Sequence, residues 1–290
     1  TVQATIWRGV RTDGEFTYRY DSLYRLVEAL GRENIPAASL PDLPPYGDPS
    51  QLTPYIQVFE YDASGNLTSL TQQGQQPYTR RMAVAQDSNH SLAWPDGMPE
   101  PDLSASFDAS GNQLALDGGK VMRWDGRERL RSVVVVSRAD GANDEEYYSY
   151  DAAGGRCRKR ISRRVAGTDQ VEEVRYLPGI ELRSIAGGKQ IDLIQATAGD
   201  CTATVLFWQT PPPSGLPQVQ IRYQILDHLE GVTVEVDADA QVISAEGYYP
   251  FGGTAWRSAS HSPSRRRSSR RTGATRAAAT WARRAVSSRA

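Results

Sequence analysis

One short unit recurs along the chain and restricts its fold more than any other feature. It reads aromatic–Asp, a few small or turn residues, Gly, then a β-branched or apolar run. Tyr61-Asp62-Ala63-Ser64-Gly65-Asn66 is the clearest copy, and Phe107-Asp108-Ala109-Ser110-Gly111-Asn112 repeats it almost letter for letter. Tyr20-Asp21, Trp124-Asp125-Gly126 and Tyr150-Asp151-Ala152-Ala153-Gly154 are further copies. Ahead of the first Asp, Phe16, Tyr18 and Tyr20 alternate with Thr17 and Arg19, the pattern of a half-buried strand. Asp at a strand end can accept from its own backbone two residues on, and Gly supplies the positive φ that a tight turn needs. Each unit is therefore expected to be a hairpin. Hairpins this small need neighbours, so successive units are expected to continue one long sheet.

The aromatic–Asp pairs are 41, 46, 17 and 26 residues apart, and the two long gaps hold inserts at about 34–55 and 86–101. The first carries six Pro between Ile35 and Pro54, and the second carries Trp94-Pro95-Asp96-Gly97. Both are expected to be surface loops or edge decorations. Beyond Tyr150 the pattern predicts hairpins from Val171–Leu177 with Glu181–Ile185, from Ile191–Ala196 with Thr202–Trp208, and from Val232–Asp237 with Gln241–Tyr248. A helix over Leu23–Leu30 competes with the return strand that the repeat requires there, and the strand is preferred.

These units resemble the tyrosine–aspartate repeats of Rhs proteins. A finer likeness is to the C component of bacterial insecticidal toxin complexes. It is carried by Gly31-Arg32-Glu33-Asn34, by Tyr176-Leu177-Pro178-Gly179-Ile180-Glu181-Leu182-Arg183, and by a core-end motif. That motif is Asp227-His228-Leu229 followed by Glu246-Gly247-Tyr248-Tyr249-Pro250-Phe251-Gly252-Gly253-Thr254-Ala255. The likeness covers residues 1–256. It implies an all-β spiral of antiparallel hairpins, an arc of a larger hollow shell. In that family the shell closes with a B component, encloses a toxic effector and docks on a pore-forming A component, as part of a secreted toxin. The family has Gly directly after Asp-His-Leu. Here Glu230-Gly231 stands there, which predicts a turn shifted by one residue. Two other readings remain open: an Rhs-type cell-surface or contact-dependent effector shell without those partners, and a carbohydrate-binding repeat module.

The chemistry-bearing residues favour a structural role over an enzymatic one. Asp227-His228 has the residues of a general base and its orienting acid, but no motif places a nucleophile beside it, so a turn or packing role is preferred for His228. His90 sits in a polar loop and is expected in solvent. Asp62, Asp108, Asp125 and Asp151 lie in separate turns, whereas a Ca²⁺ loop needs closely spaced ligands. Gly252-Gly253 is followed by no Lys-Ser/Thr and is no phosphate loop. No cofactor or metal is expected. The aromatic residues can stack on sugars, but an internal ladder between strands is preferred. Two Cys, Cys157 and Cys201, are too few for a disulfide scaffold. No apolar stretch is long enough to span a bilayer, and the chain opens without a basic-then-apolar leader, as if cut from something longer.

The charge is unevenly spread. Ten Arg and no acidic residue follow Trp256, leaving 23 basic against 34 acidic residues in positions 1–256. An acidic body argues against nucleic acid as its partner. Residues 257–290 are expected to be a disordered Arg/Ser/Ala-rich tail, with too few apolar residues to offset ordering. Arg, Ala, Ser, Thr, Gly and Pro are what GC-rich DNA yields out of phase, so a frameshift that removes the family's self-cleavage motif and effector is preferred over a genuine basic arm or a rearranged end. Translating the DNA past codon 256 in the other two frames is expected to restore a Tyr- and Asp-rich continuation. If neither frame does so, the basic arm is real.

Overall fold

The computed structural model describes residues 4–7, 9–34, 47–48, 50–95, 97–116, 118–139, 141–185 and 187–259. Most of the first insert and the tail from 260 onward lie outside them. The described chain is almost entirely antiparallel β. Strands β1 (Thr5–Trp7) and β2 (Val10–Thr12) form a short ribbon. Strands β3 (Thr17–Tyr20), β4 (Leu26–Glu33), β5 (Thr53–Tyr61), β6 (Leu67–Gln73), β7 (Tyr78–Val84) and β8 (Ser91–Trp94) form a six-stranded sheet. One helical turn, α1 (Leu103–Ser106), follows. A thirteen-stranded sheet then runs through β9 (Ala115–Leu116), β10 (Lys120–Trp124), β11 (Leu130–Val136), β12 (Asp144–Tyr150), β13 (Arg156–Val165), β14 (Thr168–Leu177) and β15 (Ile180–Ile185). It is completed by β16 (Lys189–Ala198), β17 (Cys201–Trp208), β18 (Val219–Leu226), β19 (Val232–Asp237), β20 (Val242–Tyr248) and β21 (Thr254–Ala259). Both larger sheets keep sequence order, so every connection is local. The hairpins expected after Tyr150 are all present, and Leu26–Glu33 is a strand.

The aromatic–Asp loops, and those that follow Leu226 and Val236, share one geometry. The Asp N–H donates to the carbonyl four residues on, at 3.0 Å for Asp21, Asp62 and Asp237, 2.9 Å for Asp108 and 2.8 Å for Asp125, Asp151 and Asp227. Its Oδ1 accepts from the N–H of that same residue, for example Asn66 at 2.8 Å and Gly155 at 2.8 Å. These donors hold the Asp62 carboxyl below the ordinary aspartate range, the Asn66 side-chain amide first among them. The residue three after the Asp takes the left-handed conformation. Gly fills that place at Gly65, Gly111 and Gly154, but Tyr24 (φ 59°), Glu128 (φ 60°), Glu230 (φ 62°) and Ala240 (φ 57°) fill it elsewhere. Two expectations are corrected by this. Gly126 is not the turn glycine of its unit, because Glu128 takes the positive φ. The Asp227 loop is not shifted by one residue, because Glu230 itself takes the conformation, with Gly231 packed against Asp227 and Tyr248. The hydrogen bonds around Asp offset the small strain that a side chain brings there.

The unit at Phe107 is also different from expectation. Its loop closes, but no hairpin forms: Phe107 makes only an isolated bridge to Gln113. Pro99 and Pro101 just upstream lack the N–H groups a strand needs, and Asp102 instead caps α1 through Ser104 N at 2.9 Å and Ala105 N at 3.2 Å. The two sheets therefore part here. His90 is not free in solvent; its ring stacks on Phe107 at 4.3 Å. Strand β3 pairs on one side only and all four of its residues are exposed, so the half-burial expected of Tyr18 and Tyr20 is not seen. The inserts are shorter than expected as well. Tyr55 belongs to β5 and is 1 % exposed, and Ser91–Trp94 is the edge strand β8.

One face of the long sheet carries the core. Tyr148, Lys159, Val174, Arg183, Ile191 and Trp208 face one another in a single row across β12–β17, and directly opposed residues share a face. Ile185, Ile191, Leu193, Leu206 and Trp208 form the apolar cluster, with Leu216 of the following loop packed on it. Each such side chain contributes about 1.5–3 kcal/mol by burial. Ion pairs interleave with it: Lys159–Glu146 at 2.8 Å, Arg183–Glu181, and Arg222–Glu235 at 3.2 Å.

Neighbouring hairpins are joined by a further contact at the strand ends. The Tyr61 hydroxyl donates to Leu26 O at 2.8 Å, Tyr150 to Leu130 O at 2.8 Å and Tyr248 to Val232 O at 2.7 Å. The Trp124 indole N–H donates to Gln113 O at 2.8 Å. In every case the acceptor is five residues after a loop Asp: Asp21, Asp125, Asp227 and Asp108 in turn. Replacing Tyr150 by Phe removes its bond to Leu130 O and the hydroxyl's interaction with Arg156, and is expected to lower unfolding free energy by about 1 kcal/mol in denaturant titration. Tyr20, which makes no bond of this kind, is expected to tolerate Phe without measurable loss.

Candidate functional site

The core-end motif differs from the other loops in sequence and matches them in backbone. Tyr249 stands where they have Asp. Its N–H donates to Gly253 O at 2.7 Å, and the Gly252 N–H donates to Tyr249 O at 2.8 Å. Gly252 takes φ 87°, and the ladder shifts register between Gly247 and Tyr248. Pro250 suits the position after the first turn residue because its φ is already set. This is a repeat loop that has exchanged its Asp for Tyr and lost its own carboxylate cap.

The freed side chain reaches the first sheet. The Tyr249 hydroxyl donates to Glu33 Oε2, 216 residues away in sequence. Its ring meets Tyr55 edge-on at 4.9 Å, and Phe251 meets Phe59 edge-on at 5.2 Å. The Arg32 guanidinium lies 5.6 Å from the Trp256 ring, a cation–π contact. The backbone joins too: Asn34 N–H donates to Ala255 O at 3.0 Å and Gly47 N–H to Arg257 O at 2.7 Å. Alternate carbonyls on the outer edge of β21 thus accept as they would in a ladder. The two family-like segments, Gly31–Asn34 and Glu246–Ala255, form one joint.

Close approach sets which residues the joint can use. A Cβ on Gly247 would lie 2.0 Å from Trp256 Nε1, and one on Gly31 would lie 2.7 Å from both Phe16 Cδ1 and Tyr55 Oη. Burial raises the Tyr55 phenol well above its ordinary value, and Tyr249 likewise, with Glu33 adding to the effect. Burial also pushes Glu246 upward, although Arg257 sits beside it at 2.7 Å. Arg257 is 5 % exposed and part of β21, so the sheet runs to Ala259, past the composition change placed at 257.

The other residues singled out from sequence are spread along the sheet edges. Tyr61, Trp124 and Tyr150 tie neighbouring hairpins, whereas Tyr20 is exposed and Phe107 has no polar atom to give. The Asp227 carboxylate accepts from Leu229 N at 2.9 Å and Gly231 N at 2.7 Å, and His228 and Leu229 project from the loop. Sequence reasoning missed Arg25 and Arg129. Each pairs with its loop Asp, at 2.7 Å and 2.9 Å, and lies over the Tyr of the next unit, at 5.0 Å and 4.8 Å. Arg at the fourth position after Asp in two units was the available signal.

Known proteins resemble the chain in sequence and in fold. No protein-family model matches the sequence. Toxin subunit YenC2 of Yersinia entomophaga is 35 % identical over 274 residues, covering 89 % of this chain and 28 % of the relative. Toxin subunit YenC1 of the same organism is 34 % identical over 261 residues, covering 86 % and 27 %. The crystal structure of TcdB2-TccC3 superposes with a TM-score of 0.77 at 33 % identity, over 87 % of this chain and 13 % of that one. The Tc holotoxin pore of Photorhabdus luminescens, with a mutated TccC3, gives 0.78 at 32 % identity, over 87 % and 12 %. The chain is a Tc toxin C-component-like Rhs-repeat protein. It spans a little over a quarter of the length of the curated relatives it matches.

Within this C-component-like chain the joint explains two of the family-like segments, which read separately in sequence and meet in space. Gly247→Ala is expected to displace the Trp256 indole and cost about 1–3 kcal/mol, as overpacking does. Gly126→Ala is expected to stay within about 0.5 kcal/mol, because a Cβ there meets nothing within 4 Å. Thermal or denaturant unfolding of the two variants checks both.

Proposed function

We propose that this chain is a wall segment of a Tc-type C component, laying down one winding of a shell that encloses a toxic effector together with a B component. The observation that carries the reading is the joint: the last hairpin returns to the first sheet through Tyr249, Phe251 and β21. A sheet that winds back on itself is suited to enclosing space. The similarity to TcdB2-TccC3, a complex by its name, supports a B-component partner, and the holotoxin neighbour supports docking of the shell on a pore-forming A component. The segment acts by its shape, takes no cofactor and performs no catalysis. Neither nucleic acid nor a membrane is its own target, and the assembled toxin is secreted. The glycan-binding alternative is disfavoured because Arg25 and Arg129 lie over the ring faces of Tyr61 and Tyr150.

Electron microscopy of the full-length protein co-purified with its B component is expected to show a closed hollow body. A solid globule, or no complex at all, would remove the proposal. A glycan array probed with the isolated chain is expected to stay silent.

A further inference from the structure

Glu33 is a fully buried carboxylate whose partners are all neutral. Its Oε2 accepts from Gln72 Nε2 at 2.6 Å and from the Tyr249 hydroxyl, and its Oε1 accepts from the Gln75 backbone N–H at 2.6 Å. The ionisable groups facing it are phenols: Tyr55 from β5, Tyr78 from β7 and Tyr249 from the last loop. Arg32 projects from the other face of β4, over Trp256, and Arg257 is committed to Glu246. Among the described residues no cation pairs with Glu33. The site is also closed to rearrangement, since a Cβ on Gly74 would lie 2.2 Å from Glu33 Oε1. An ionised carboxylate in such surroundings is costly, and holding a proton is the alternative.

We propose that buried Glu33, with Tyr249 over it, makes the joint between the first sheet and the last hairpin a proton-controlled clasp, tighter when Glu33 is protonated and loosened when it ionises, the Tyr249 hydroxyl offsetting only part of the charge. In the protonated state the buried carboxyl carries no charge, and Gln72 and Gln75 donate to its lone pairs. When the proton leaves, a net negative charge stays in the joint among three phenols and without a cation. Burial pushes the Glu33 carboxyl above the ordinary glutamate range, and the three donors oppose this only in part. A folded value raised above the unfolded one gives stability that is full below the ordinary glutamate range and is lost as pH rises through the raised value. The joint is therefore tighter in mildly acid solution than at neutral pH.

The test uses the 290-residue chain with ¹³C-carboxyl-labelled glutamate. The Glu33 signal, identified by its loss in Glu33→Gln, is expected to titrate above the exposed glutamates. Tyr249→Phe removes a donor to the ionised form and is expected to move that signal further up. The unfolding midpoint is expected to fall with rising pH more steeply in the parent than in Glu33→Gln. If Glu33→Gln does not fold, the signal that Tyr249→Phe moves identifies the residue. Titration of Glu33 with the exposed glutamates, equal pH slopes for parent and Glu33→Gln, or a Tyr249→Phe spectrum in which no glutamate signal moves would each overturn the clasp.

Discussion

The structure depends on a bond between an aromatic side chain and a backbone carbonyl just past the end of a ladder. Strands β4 and β5 stop pairing at Glu28–Val58, β11 and β12 at Ser132–Tyr147, and β19 and β20 at Val234–Ala245. Beyond those points the strands part toward their loops, and a carbonyl is left on one side: Leu26, Leu130 or Val232. The next unit's Tyr61, Tyr150 or Tyr248 spans the gap and donates to it. These carbonyls are part-buried, and a buried one left alone costs about 1–3 kcal/mol, so these three hairpins are steadied by the unit that follows. This gives the aromatic of the aromatic–Asp pair its purpose. The Asp closes its own loop, and the aromatic ties that loop to the one before.

The same grammar makes the last loop informative. With Tyr249 in the Asp position, the backbone still closes because Pro250 and Gly252 supply the required conformations. Tyr248 still makes its tie to Val232. Only the cap is given up, and the side chain that replaces it leaves the loop for Glu33. A local bond is exchanged for a long-range one, which is what a chain needs at the place where a winding meets its own beginning. The segment Gly31–Asn34 supplies the other half with its glycine, buried carboxylate and free backbone N–H.

Much of this was legible in the chain. Alternation at period two, Asp and Gly at loop positions and the absence of helical periodicity marked the hairpins through Tyr248, because these are local consequences of strand and turn geometry. Failures came where local rules met a wider context. Phe107–Asn112 copies Tyr61–Asn66 closely, yet forms no hairpin, since the prolines before it cannot donate. Gly126 was read as a turn glycine, yet Glu128 holds the positive φ, because the bonds to Asp125 define the loop whatever residue follows. Arg257 was grouped with the Arg-rich tail, yet it is buried against Glu246 on β21.

The sequence by itself determined the all-β class and the order of most hairpins, because those follow from residue types a few positions apart. It also marked Gly31–Asn34 and Glu246–Ala255 as distinctive. The tertiary structure decided that these two segments are one site, that Glu33 is buried without a cation, and that the sheets part at Phe107. No pattern in the chain encodes a contact between residues 216 positions apart. That contact exists because the twist and length of the intervening strands carry Tyr249 back to the first sheet, a sum over many local geometries that no single one of them reveals.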